Sequence, residues 1–123
     1  MNRPGPYQLQ SAIQAVHAVA VTAAATDWRQ IVHLYDQLLA VAPTPVVALN
    51  RAAAVAEVEG AEPALAIVDA LDLPEYYLFH AIRADFLRRL GRVAEARAAY
   101  DRALARTANA SERLFLESRL REL

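Results

Sequence analysis

Residues 76–109, YYLFHAIRADFLRRLGRVAEARAAYDRALARTAN, read as one helical hairpin. Ala84 falls in a first helix and Leu90-Gly91-Arg92 makes a tight turn. Ala96, Tyr100 and Ala103 then follow at i, i+4 and i+7 down a second helix. Small residues at these steps let two helices cross closely, and the one aromatic fills the space between them. Such a hairpin cannot bury its apolar face alone, so it predicts further hairpins stacked against it.

The layout resembles a tetratricopeptide (TPR) repeat, whose period is about 34 residues. Laid over the earlier sequence, it places Ile31, Tyr35 and Leu38 where Ala96, Tyr100 and Ala103 fall later, with Pro43 at the end of the unit. In the middle copy Ala52 or Ala53 takes the small first-helix position, Gly60 the turn, and Ala64 and Val68 match Ala96 and Tyr100. The expected fold is all-α, a TPR-like right-handed superhelix of about three helical hairpins plus a C-terminal capping helix. Residues 1–123 form a single repeat domain in this reading: a short segment at 1–5, hairpins at 7–43, 45–72 and 74–108, and a cap at 111–123.

Punctuation fixes the helix ends. Tyr7 to Val21 follows Pro6; Trp28 to Val41 follows an Asp27 cap and stops at Pro43-Thr44-Pro45. Pro45 opens a helix to Glu59, ended by Gly60; Glu62-Pro63 starts a shorter one to about Leu71. Pro74 opens the next, to Leu90, and Arg92 to Arg106 follows. Asn109 or Ser111 caps the last, whose Leu114, Phe115 and Leu120 are expected to cover the final hairpin. Pro- and Gly-marked turns this short imply antiparallel neighbours.

Composition excludes several classes of function. The formal net charge is -1, with no drive toward nucleic acid. All basic residues are arginine, and after residue 80 they alternate with acids, which describes a solvated, ion-paired face. With no cysteine, disulfide and thiol chemistry are excluded. Residues 1–6 lack the apolar core of a signal peptide, and the apolar run 15–25 is too short for a membrane span, so a cytoplasmic protein without membrane contact is expected. His17, His33 and His80 lie on three different helices and would need Asp36 or Asp85 within reach to hold a metal. No paired spacing supports that, and no metal or cofactor is assigned. Nucleophile elbow, phosphate loop and dinucleotide glycine pattern are absent, so no catalytic residue is expected.

In a superhelix of this kind the first helix of each hairpin lines a concave groove where protein partners bind. The polar candidates there are Gln10, Gln14 and His17, then Asn50 and Arg51, then His80, Arg83, Asp85 and Arg88. Asn50-Arg51 is the sharpest pair, since it interrupts an apolar helix where burial would cost desolvation energy. The alternative is internal: Arg51 paired to Asp36 or Asp85, and Asn50 bonded to a neighbouring helix. Trp28, Tyr35 and Tyr100 are expected to pack internally. Of Tyr76 and Tyr77, one should be exposed or line the groove, because neighbours on a helix cannot both face the core. Alanine-rich faces also suit burial in a homodimer.

A second resemblance covers nearly the whole chain. Pro4-Gly5-Pro6-Tyr7-Gln8-Leu9-Gln10, with Ala12-Ile13 and Val16-His17-Ala18, is similar to the segment that opens the C-terminal extension of one group of bacterial extracytoplasmic-function (ECF) sigma factors. Asp27-Trp28, Leu34-Tyr35-Asp36, Pro45-Val46-Val47-Ala48-Leu49-Asn50-Arg51-Ala52, Leu90-Gly91-Arg92 and Glu112-Arg113 continue it. The resemblance implies a TPR-like tail that regulates transcription initiation by contacting its own sigma regions, RNA polymerase or a small regulatory protein. It implies DNA contact only through promoter-binding regions that this sequence does not contain. The competing expectation is a free-standing TPR adaptor unrelated to transcription.

Overall fold

The computed structural model describes residues 27–123, so the expected helix from Tyr7 to Val21 lies outside the described residues. Within them every regular element is an α-helix: α1 Trp28–Val41, α2 Pro45–Glu59, α3 Ala61–Asp69, α4 Tyr77–Arg89, α5 Val93–Leu104 and α6 Ala110–Glu122. Each packs chiefly on its sequence neighbours, and α2 also touches α4. That pattern is a row of antiparallel hairpins whose alternate helices share a face, which is the TPR-like array expected.

The first helices begin and end where the sequence marks them. Asp27 Oδ1 accepts the Gln30 amide at 3.1 Å and Thr44 Oγ1 accepts that of Val47 at 3.2 Å, each satisfying a donor at a helix N-terminus. Gly60 and Gly91 take φ of +96° and +74°. At Gly91 the chain leaves α4 through a Schellman turn: Arg92 N–H donates to Leu87 O at 2.9 Å and Gly91 N–H to Arg88 O at 3.0 Å.

Later boundaries differ from expectation. Helix α4 starts at Tyr77 and not at Pro74, because the Pro74 carbonyl is held by side chains: His80 Nε2 at 2.8 Å and Arg106 Nε at 2.6 Å. Helix α3 stops at Asp69, where Ala70 and Leu71 donate three residues back and tighten the last turn. Helix α6 is capped by Asn109, whose Oδ1 accepts the Glu112 amide at 3.0 Å, while the Thr107 hydroxyl donates to the Glu112 carboxylate at 2.7 Å. Arg113 Nη1 closes the preceding helix by donating to Leu104 O and Thr107 O.

The core runs continuously from α2 to α6. Ala52, Ala64, Ala84, Ala96, Ala99 and Ala103 are fully buried, and the volume between them is filled by Leu49, Val68, Leu87, Tyr100 and Leu116. The repeat positions therefore fall as read, with Ala52 and not Ala53 in the middle copy. Ile31 and Ala54 form a smaller cluster with Trp28, Val32, Leu34 and Tyr35; Tyr35 is half-buried there, not in the main core. The cap corrects one expectation. Leu116, with Leu120 and Leu123 at i+4 and i+7, covers the last hairpin, and Leu114 and Phe115 are exposed because they fall off that stripe.

Two substitutions test this packing. Ala99→Leu should destabilise the chain by about 2 kcal/mol by overpacking α5, whereas Ala98→Leu, one residue earlier and exposed, should change stability by less than about 0.5 kcal/mol. Gly91→Ala should cost about 1 kcal/mol from its left-handed backbone alone, since nothing lies within 4 Å of the added Cβ. Urea unfolding of the three variants reads both effects.

Candidate protein-interaction groove

The stacking that buries one face of α2 and α4 leaves the opposite face of each only partly covered. Along α4, Ala84 and Leu87 go fully into the core, while the half-buried Tyr77, Leu78, Ala81 and Ile82, with the buried Phe86 beneath them, line an open groove of about 300 Å³. Ala53 and Glu57 of α2, Trp28 of α1 and Phe115 of α6 complete its lining. The exposure of Phe115 is thus part of the groove wall.

Charge enters the groove as one tied cluster. Arg89 Nε donates to Asp85 Oδ2 at 2.9 Å, and its Nη2 lies 3.5 Å from Glu57 Oε1. Arg88 Nη2 donates to the other Asp85 oxygen at 2.6 Å. The Arg89 guanidinium also lies 6.0 Å from the Phe86 ring centroid, and Arg119 lies 5.0 Å from that of Phe115 while pairing with Glu122 at 3.2 Å. The cations near the groove are therefore already engaged with carboxylates and aromatic faces.

The polar candidates separate by position. Asp85 lines the groove and Arg88 is bound to it. Asn50 shares the α2 stripe of Ala53 and Glu57, at i+3 and i+7, and is half-buried. Arg51 turns away to α1, where its Nε donates to Asp36 Oδ1 at 2.6 Å; of the two readings of this pair, the internal one describes Arg51. Arg83 likewise ties α4 to Asp69 at 2.8 Å, by the end of α3. His80 is a correction, since it is only 6% exposed and its Nε2 donates to Pro74 O inside the fold, on the face away from the groove. Gln10, Gln14 and His17 lie outside the described residues.

No three metal-ligating side chains converge among the described residues, and His33 bonds Gln37 within its own helix at 3.0 Å. No described helix is long and apolar enough to cross a membrane. Tyr77, not Tyr76, is the groove tyrosine; burial raises its pKa first, with the Glu112 charge adding to it. The groove residues missing from the sequence reading, Leu78, Ala81, Ile82 and Phe86, are apolar ones to which it gives no role. The available signal was α4 itself, apolar on two opposite faces, which a helix covered on one side does not require.

No protein-family model matches the chain. Over 98% of its length it is 49% identical to an uncharacterised protein of Rhizobium meliloti (strain 1021), and it spans 29% of the length of that curated relative. Among solved structures it is similar to the first TPR of Spaghetti (RPAP3), bound to the HSP90 peptide SRMEEVD. The TM-score is 0.75 at 19% identity, over 99% of this chain and 92% of that one. The NMR structure of the first TPR domain of human RPAP3 gives 0.73 at 20% identity, over 96% and 91%. The shared property is the fold.

Burial pushes the His80 imidazole below its ordinary value of 6.5; the bond to Pro74 opposes the shift, and Arg106, Arg102 and Arg83 add to it. The unfolded chain therefore binds this proton more readily, so the stabilisation is complete above pH 6.5 and is lost as pH falls through that value. Urea midpoints should hold from pH 8 to 7 and drop between pH 6.5 and about 5, before unfolded carboxylates titrate. His80→Phe should flatten that drop.

Proposed function

We propose that this chain is a TPR-type protein-interaction module, an adaptor that acts in the cytoplasm by holding a segment of another protein along the groove between α2, α4 and α6. The observation that carries the reading is the half-buried apolar stripe of α4, where Tyr77, Leu78, Ala81 and Ile82 pack against the core on one side and line an open groove on the other. An apolar surface of this kind, rimmed by charge, marks an interaction site. The RPAP3 likeness supports it, because that TPR domain holds a peptide. The role is binding and not catalysis. Asn50, Asp85 and Arg88 are the polar residues of the earlier set that this reading keeps.

A narrower reading, regulation of an ECF sigma factor, draws on the sequence blocks around Pro4–Gln10 and Leu49-Asn50-Arg51. It also fits a relative in which the matched segment is 29% of the length. Neither sequence block is needed by the adaptor reading, which rests only on fold and groove, and that reading is preferred.

The two readings separate experimentally. A photo-crosslinker at Ala81 should capture the same partner from the source cell repeatedly. Ile82→Arg in the groove should abolish that capture, while Val93→Arg on the exposed start of α5 should leave it intact. A groove variant that captures as well as the parent would remove the basis of the adaptor reading. For the narrower one, promoter-directed transcription by the longer parent protein should change when this segment is deleted, and unchanged output and regulation would refute it.

A further inference from the structure

The charges around the groove carry the reading one step further, to the kind of partner. Two carboxylates, Glu57 and Asp85, line it against one guanidinium, Arg89. That guanidinium is shared between them: its Nε donates to Asp85 and its Nη2 lies 3.5 Å from Glu57. Asp85 is paired twice, with one oxygen on Arg88 and the other on Arg89. Glu57 differs. Its nearest cation is at 3.5 Å, the longer of the Arg89 contacts, and its side chain is 38% exposed, open to a ligand. The groove thus presents an apolar floor and one loosely paired carboxylate.

An incoming carboxylate would meet two acids in the lining and one guanidinium already shared between them. An incoming arginine or lysine displaces nothing and gives Glu57 a closer partner. We infer, on the premise that the groove binds protein, that its partner is a segment of apolar side chains carrying a basic residue placed to reach Glu57. The apolar side chains lie over Leu78, Ala81 and Ile82 and against Phe115, and the cation meets Glu57 at the α2 wall. An acidic segment is the wrong ligand for this site. The apolar contact supplies affinity, and the charge supplies the choice between partners.

The test uses the full chain and two synthetic peptides, FLARLLAR and FLAELLAE, which share one apolar pattern and differ in the sign of two charges. Trp28 is the single tryptophan and lines the groove, so its emission reports occupancy without a label. FLARLLAR should bind about fivefold more tightly than FLAELLAE, as expected for exposed charge contacts. Glu57→Gln should bring that ratio to near one. Salt at about 0.5 M should do the same in the parent chain, and Ile82→Arg should weaken both peptides. Circular dichroism checks that each variant keeps its helices. Equal or tighter binding of the glutamate peptide overturns the inference while leaving groove binding in place. So does a preference that survives Glu57→Gln. Binding of neither peptide also overturns it, whereas the adaptor reading stands or falls on whether Ile82→Arg abolishes the crosslink from Ala81.

Discussion

Everything in this fold depends on helices approaching closely at alanine. Ala52, Ala64, Ala84, Ala96, Ala99 and Ala103 have no measurable exposure, and each stands where one helix meets the next. Alanine loses no side-chain rotamer freedom on burial, so these contacts are entropically undemanding, but each also buries little apolar area. The larger share of the hydrophobic stabilisation must then come from the few bulky residues between them: Leu49, Leu87, Tyr100 and Leu116. A core of this composition tolerates little added volume, because the backbones already stand near their closest separation.

Close stacking has a second effect. When hairpins pack edge to edge, each helix has its sides taken by its neighbours, and one face of the alternate helices is left only partly covered. In α4 that face is apolar, and the cap makes it deeper. The phase of α6 is set by Leu116, Leu120 and Leu123 packing inward, and this fixes Phe115 at the rim of the groove. The same geometry that completes the core thus builds the groove wall. The ion pairs do a different job. Arg51 to Asp36 and Arg83 to Asp69 join adjacent helices at sites one-fifth to one-half exposed, where such pairs are worth about 0–1 kcal/mol each. They fix which way the long side chains point more than they hold the fold together.

Sequence and structure agree where a local signal is also the physical cause. Asp27, Thr44-Pro45 and Gly60 cap or break helices by their own chemistry, so α1 and α2 could be delimited residue by residue. The alanine register was legible for the same reason, since helix crossing needs small residues at that spacing. The start of α4 was not legible, because it depends on His80 and Arg106 reaching back to one carbonyl, and the second of these is separated from it by most of a hairpin. The groove was legible in position but not in chemistry. Polar residues on the first helix of each hairpin looked like the binding set, yet Arg51, Arg83 and His80 are consumed by internal contacts, and the groove floor is made of the half-buried Leu78, Ala81 and Ile82. A sequence gives the period of a helix face but not which of two apolar faces a neighbour will cover.

That ambiguity bears on function directly. A stacked-hairpin backbone specifies a curved surface and little else, so partner choice must reside in side chains that the fold does not need. In α4 the two sets can be told apart by degree: Ala84 and Leu87 are wholly buried in the stack, Leu78 and Ile82 are shared between core and groove, and Asp85 and Arg89 lie outside the core. Of these, Asp85 and Arg89 pair with each other, so the net charge of the groove lining rests on Glu57. If the groove prefers basic segments, that preference costs the fold nothing, because none of these three is part of the buried core.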